Sequence, residues 1–242
     1  MTYCVGMRLD AGLVFLSDSR TNAGVDHINS FRKMQVWESA GDRVLVLLTS
    51  GNLSISQAVI NLLSERLGEP EVANLNSAEN LFDAARLVGE ALREVHARDA
   101  AALGEFGIEF NAAFILGGQI RGERPRLFHI YAAGNFIEAT DDTPYFQIGE
   151  SKYGKPIIDR VIRPASSLAE AAKCALVSMD STIRSNLSVG LPLDLLIVER
   201  DALAVKSHIS IGSDHAYFNA IRSQWGGRLR EAFAELPNPD WL

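Results

Sequence analysis

Thr2, Asp18 and Lys33 are the residues near the start of the chain whose types could combine into one reaction. A threonine hydroxyl is a poor nucleophile until a base sits beside it, and an α-amine on the same residue can be that base. Thr2 would carry such an amine once Met1 is removed, and its small side chain suits methionine aminopeptidases. Asp18 closes an apolar stretch and could hold a lysine ammonium. Lys33 lies in the otherwise apolar stretch Phe31-Arg32-Lys33-Met34. Next to a terminal ammonium, like charge and burial would lower the pKa of both groups and suit proton traffic near neutral pH. Each residue also has a plain reading. Many proteins begin Met-Thr, Asp18-Ser19-Arg20 could be a strand-end ion pair, and Lys33 could be an exposed lysine on an alternating strand.

The elements that would position these residues can be read from the apolar pattern. Residues 3–8 and 13–19 flank Asp10-Ala11-Gly12 and read as a hairpin. With the turn centred near Ala11, Thr2 would face Arg20 and Cys4 would face Asp18, so that 2, 4, 18 and 20 share a face. Residues 31–37 and 43–49 surround Ala40-Gly41-Asp42 as a second hairpin, with Lys33 inside its first strand. Helical spacing follows over 54–67, with Gly68 and Pro70 as a stop. A second helix, capped within Ser77-Ala78-Glu79-Asn80, runs to about 96–98. Strands are expected at 111–116 and 126–132, around a turn-rich stretch that starts at Gly117-Gly118, and at 136–140 and 145–148. Helices are expected over 156–162 and 168–183, strands over 193–198 and 205–211, and a last helix over 215–233. This order suggests an α+β layered sandwich, read as one domain over 1–242.

Composition narrows the function. The net charge is −7, with Lys and Arg scattered, which argues against nucleic acid or an anionic membrane as partner. No apolar run is long enough for a bilayer, and MTYCVGMRLD lacks the pattern of a secretory signal. Cys4 and Cys174 read as buried small hydrophobes in a reducing cytoplasm. The histidines at 27, 96, 129, 208 and 215 are dispersed, so neither a metal nor another cofactor is expected, and Lys152 and Lys155 read as a solvated helix start. Ser30-Phe31-Arg32-Lys33 fits Ser-x-x-Lys but sits in a strand-like segment without the partner motifs of that chemistry.

Taken together, four elements resemble the proteasome β subunits. These are the terminal Thr2, the run Ser17-Asp18-Ser19-Arg20-Thr21-Asn22-Ala23-Gly24, the Arg32-Lys33-Met34 element and the Thr49-Ser50-Gly51 turn before a helix. They occur in that family's order and nearly its spacing. The resemblance implies the four-layer αββα sandwich of the N-terminal-nucleophile hydrolases. It implies Thr2 as nucleophile with its own amine as base, Lys33 lowering the nucleophile's pKa and Asp18 orienting Lys33. The Gly51 N–H would form the oxyanion hole, Asn22 would border the substrate strand with Gly51, and Ser188 matches a serine of the catalytic surroundings.

The later motifs depart from that pattern. Glu150, with Ser151 beside it, stands where the family has a serine between glycines, and Ser185 replaces a supporting aspartate; Asp180 is near but out of register. With Gly149-Glu150-Ser151-Lys152-Tyr153-Gly154-Lys155-Pro156 and a Pro-Asp-Trp-Leu end, the departures resemble the Anbu, or ancestral β-subunit, branch. That likeness implies a homo-oligomer, ring or open screw, a polypeptide or peptide-like substrate, and weak or latent peptidase activity. It leaves an unfoldase partner unassigned. A catalytically silent ring or scaffold subunit and a small-amide hydrolase on the same fold are the alternatives.

Overall fold

The computed structural model describes residues 2–23, 27–69 and 71–241, with the side chains of 22, 23, 27 and 28 outside the description. The chain opens with β1 (Tyr3–Leu9) and β2 (Gly12–Asp18), whose burial is continuous because both strand faces are covered. Side-chain alternation divides these strands between two cores. Tyr3, Val5, Met7 and Leu9 pack with Val14 and Leu16 toward helices, while Cys4, Leu13 and Phe15 pack toward a second sheet.

The hairpin closes Leu9 against Gly12 through the two-residue loop Asp10-Ala11, which sets Cys4 opposite Ser17. The expected register is therefore one residue off: a two-residue loop replaces the three-residue one. Gly12 permits it, since its φ is +139° and a Cβ there would lie 2.1 Å from the Val198 carbonyl oxygen.

Next come a short ribbon of β3 (Arg20–Ala23) and β4 (His27–Ser30), then β5 (Met34–Ser39) and β6 (Arg43–Gly51). The ribbon has no counterpart in the apolar pattern, and β5 begins only after Lys33, so that lysine lies in the connection and not inside a strand. Helices α1 (Leu53–Arg66) and α2 (Leu81–Glu105) follow. Asn52 and Asn80 cap them, each accepting a hydrogen bond from the backbone of the first turn.

The strands β7 (Ala112–Ile120), β8 (Arg126–Ile130), β9 (Phe136–Glu138) and β10 (Tyr145–Gly149) come next. Gly117 and Gly118 lie inside β7 and form no turn. An added Cβ at Gly117 would stand 2.6 Å from the Phe15 ring, and one at Gly118 2.1 Å from the Val44 carbonyl oxygen, so both glycines serve close packing. The chain finishes with α3 (Lys155–Val161), α4 (Leu168–Ser185), β11 (Leu193–Glu199), β12 (Val205–Ile211) and α5 (Ala216–Ala234).

Two five-stranded antiparallel sheets result, in the orders β10-β1-β2-β11-β12 and β5-β6-β7-β8-β9. A core including Phe15, Val46, Leu48, Ile115 and Leu196 fills the space between them. α1 and α2 cover the second sheet through Val59, Leu63, Val88 and Leu92, and α3, α4 and α5 cover the first through Ile158, Ala175, Met179 and Phe218. This is the αββα sandwich. Fully burying a side chain the size of Val59, Leu63, Met179 or Phe218 contributes about 1.5–3 kcal/mol before conformational entropy is subtracted. No helix of the described residues is long and apolar enough to cross a membrane. Both cysteines are free and buried, and no cluster of three His, Cys, Asp or Glu able to hold a metal ion occurs among the described residues.

Candidate active site

The start of β1 is held from two sides. On one side the Thr2 carbonyl accepts the Glu150 N–H at 2.7 Å. Gly149 makes that approach feasible: its φ is +81° and a Cβ would fall 1.9 Å from the Thr2 oxygen. On the other side the Tyr3 N–H donates to Asp18 Oδ1 at 3.0 Å. Thr2 itself is 8% exposed, and Met1 lies outside the described residues.

Asp18 Oδ1 also accepts from Lys33 Nζ at 2.7 Å, and the Lys33 ammonium donates a second time, to the Arg20 carbonyl at 2.6 Å. Two of its three hydrogens are thereby committed. The connection that carries Lys33 is fixed by the Thr49 N–H, which donates to the Lys33 carbonyl at 2.9 Å. The pair is buried, with side-chain exposures of 6% for Lys33 and 0% for Asp18. Burial pushes the Asp18 carboxyl above the usual carboxylate range, against the opposing pull of Lys33 and of the Tyr3 and Gly190 backbone N–H groups. Burial, reinforced by the Asp18 charge and opposed by Lys33, likewise raises the Cys4 thiol well above its ordinary value, so it stays neutral. Cys4 donates weakly to the Thr49 carbonyl at 3.6 Å.

Gly51 ends β6 in the left-handed region, at φ +101°, where a Cβ would strike the Asn111 oxygen at 2.3 Å. It is exposed, and the α1 N-terminus begins directly after it at the Asn52 cap. The partial positive charge of that helix end favours an anion near Gly51.

A third segment, 186–192, packs on the strand end after Asp18. Ser19 donates to the Pro192 carbonyl from its N–H at 3.0 Å and from its hydroxyl at 2.6 Å. Arg20 Nη1 donates to the Leu187 carbonyl at 2.9 Å, and its guanidinium lies so close to Gly190 that a Cβ there would be 2.3 Å from Cζ. Ser188, half-buried, has its N–H bonded to Asn186 Oδ1 at 2.9 Å.

The fold thus gathers Thr2, Asp18, Lys33 and Glu150 through direct bonds to one another or to adjoining peptides. Ser188 sits in the segment that Arg20 clamps. Ser151 is half-buried in the 3-10 turn Ser151–Tyr153, and Ser185 is exposed at the last position of α4; neither bonds to Asp18 or Lys33. Asp180 is engaged elsewhere, 3.2 Å from Arg222 Nε. Asn22 pairs through its backbone with Ile28, and its side chain lies outside the description. Sequence reasoning misses the Tyr3, Thr49 and Gly190 amides and the Arg20 carbonyl. Backbone groups carry no residue signature, so nothing in the sequence marks them. A groove of about 320 Å³ between α3, α4 and α5, lined by Cys174, Val177, Ile221 and Trp225 among others, contains none of these residues.

No family model and no curated protein matches the chain. Solved structures do. It is 54% identical to Anbu (ancestral beta-subunit) from Yersinia bercovieri, over 98% of this chain and 99% of that one, with a TM-score of 0.92. It is 53% identical to an Anbu (Gly-1) mutant from Hyphomicrobium sp. strain MC1, over 99% and 100%, at TM-score 0.93. It is 52% identical to the chain in a helical assembly of the Anbu complex from Pseudomonas aeruginosa, over 98% of both, at TM-score 0.92.

Proposed function

Because this chain belongs to the Anbu family of proteasome-like β subunits, we propose that it is a threonine-type N-terminal-nucleophile hydrolase acting on a polypeptide or peptide-like amide. The observation that carries this reading is the buried Lys33–Asp18 pair, bonded through Asp18 Oδ1 to the peptide that follows Thr2. An ion pair removed from water is costly and has to be held by further hydrogen bonds, which makes a purely incidental pair at this spot a poor explanation.

In the proposed reaction Met1 is removed and the Thr2 hydroxyl attacks the substrate carbonyl while the freed α-amine takes its proton. The fixed Lys33 charge favours the developing alkoxide. The Gly51 N–H, backed by the α1 N-terminus, receives the oxyanion. The amine returns the proton to the leaving nitrogen, and water then hydrolyses the Thr2 ester. Asn22 borders the substrate, and Ser188 supports the nucleophile's surroundings. We also propose a homo-oligomer, as in the helical assembly of the Pseudomonas relative. Leu229, Phe233, Leu236 and Trp241 are exposed on α5 and the tail, and such apolar surface suits a subunit contact.

Intact-mass measurement should show the loss of one methionine and then a single adduct on Thr2 after treatment with an electrophilic threonine-protease inhibitor. Protein that has lost Met1 and yet forms no adduct at any pH between about 6 and about 10, a span that brackets the ordinary α-amine pKa, would favour the silent ring subunit instead.

A further inference from the structure

One charged group beside Thr2 is not used by that reaction. Glu150 follows Gly149 at the end of β10, and its N–H is the donor to the Thr2 carbonyl at 2.7 Å. Its side chain is 14% exposed, and Oε2 is buried without a hydrogen-bond partner among the described residues. Among the described residues its ion pair is with Lys152 Nζ at 3.5 Å, too long for a good hydrogen bond and on a side chain that is 69% exposed. A carboxylate oxygen sealed from water without a donor is expensive. Asp18 also keeps one buried oxygen, Oδ2, without a hydrogen-bond partner among the described residues, but its charge already has a counter-ion in Lys33. Arg20 donates to Leu187.

We propose that Glu150 is the counter-ion of the α-ammonium that appears on Thr2 when Met1 leaves. Glu150 is then a positioning residue that also holds the amine in its protonated form. The β1–β10 register pairs Tyr3 with Gly149, so Thr2 and Glu150 stand opposite each other, joined by the Glu150 N–H to Thr2 carbonyl bond, and a glutamate side chain from that position can span to the Thr2 amine. The new cation supplies the donor that Oε2 lacks. An opposite charge at that range favours the ammonium, whereas Lys33 disfavours it. Only the free amine can take the hydroxyl proton. Glu150 therefore restrains the nucleophile at neutral pH and moves its activity to higher pH.

This inference rests on the proposed hydrolase chemistry only for its kinetic consequence, so the amine is best titrated directly. The probe is acetylation of the Thr2 α-amine by acetic anhydride across pH, read by intact mass and peptide mapping on assembled protein. The E150Q variant should titrate about one pH unit lower than wild type, in keeping with the usual effect of a nearby opposite charge. E150D, which keeps the charge, should stay near wild type. Adduct formation with the inhibitor at neutral pH should rise several-fold in E150Q, somewhat less than the gain in free amine because a less basic amine is a weaker base.

Equal titration midpoints in wild type and E150Q would overturn the inference while leaving the hydrolase reading intact. A shifted midpoint with no inhibitor adduct in any variant would uphold the amine–carboxylate pair and sink the hydrolase reading. Should E150Q fail to assemble, K152A reads the same pair in the opposite sense. Loss of the competing cation should raise the midpoint, and an unmoved midpoint would overturn the inference.

Discussion

The helices α2 and α4 lie on opposite outer faces of the sandwich and bury their inner faces with different chemistry. α2 buries Leu81, Ala84, Ala85, Leu87, Val88, Gly89, Ala91, Leu92 and Val95, without a polar side chain among them. α4 buries Ala171, Leu176 and Met179 but also Ser178, Asp180 and Thr182. Each of these polar groups has a partner. Ser178 Oγ donates to the Ala175 carbonyl at 2.7 Å, Thr182 Oγ1 donates to the Ser178 carbonyl at 2.9 Å, and Asp180 accepts from Arg222 on α5. Ser178 also bonds the Tyr3 hydroxyl at 2.9 Å, which accepts from Gln147 of β10 at 2.6 Å. Apolar burial is non-directional, whereas a satisfied buried hydrogen bond specifies one geometry. Through Ser178 the polar face thus ties to Tyr3 at the start of β1, next to the proposed nucleophile Thr2. The apolar face lies where only adhesion is needed.

The sharpest way to break this comparison is Lys33→Met, which should abolish inhibitor adducts and cost about 3–5 kcal/mol at neutral pH by stranding the Asp18 charge. The pH dependence has a definite sign. The folded Asp18 pKa is raised, so the penalty for its ionisation is absent below the ordinary carboxylate range and is incurred as pH rises through the folded value. Denaturation of Lys33→Met should therefore show a smaller loss in acid than at neutrality. An equal loss at both would mean that Asp18 is not the stranded group. Adding Asp18→Asn should recover much of the stability but none of the adduct.

Leu92→Ala, in the apolar α2 face, should cost about 2–5 kcal/mol in denaturant unfolding. Adduct yield per folded chain should stay at the wild-type level, and a selective fall in adduct rate would show that the two layers are not separable. Tyr3→Phe should cost about 1 kcal/mol. In a double-mutant cycle with Ser178→Ala the coupling should be on the order of 0.5 kcal/mol or more, and strict additivity would contradict the bond between them. The smallest effect is expected at Trp241→Ala on the tail beyond α5. Protomer stability should move by under about 0.5 kcal/mol, while light scattering should find assemblies falling apart at higher protein concentration than in wild type. Unchanged dissociation would remove Trp241 from any subunit contact.

Helices are the most legible part of the fold, because α2 and α4 each repeat apolar residues along one stripe and are capped by Asn80 and Ser167. Turn positions are legible from Asp10-Ala11-Gly12 and Ala40-Gly41-Asp42, but registers are not. A shift of one residue keeps an apolar strand equally apolar when both of its faces are buried, and the close approach of Gly12 to the Val198 carbonyl, which fits the observed register, is not readable from that pattern. The glycines of β7 mislead for a related reason: a glycine marks a turn and a close packing contact with the same letter. In the site, Thr2, Asp18 and Lys33 each have a plain reading by type alone, and their order and spacing, which resemble those of the proteasome β subunits, are what set them together. Glu150 Oε2, buried without a hydrogen-bond partner among the described residues, has no such signal, since that is a property of three-dimensional surroundings.

Burial of Thr2 also sets a schedule for biosynthesis. An aminopeptidase needs a free, extended end, and Thr2, the residue next to its cut, is 8% exposed once Asp18 holds the Tyr3 amide and Glu150 holds the Thr2 carbonyl. β1 can find β2 early, but its other neighbour, β10, is about 140 residues further along. At roughly 5–20 residues per second the ribosome needs on the order of ten seconds to supply it. During that interval the chain end stays open on the β10 side. The Met1 removal that the proposed chemistry requires is therefore best completed before β10 docks, and a protomer that keeps Met1 would lack the amine on which the proposed reaction depends.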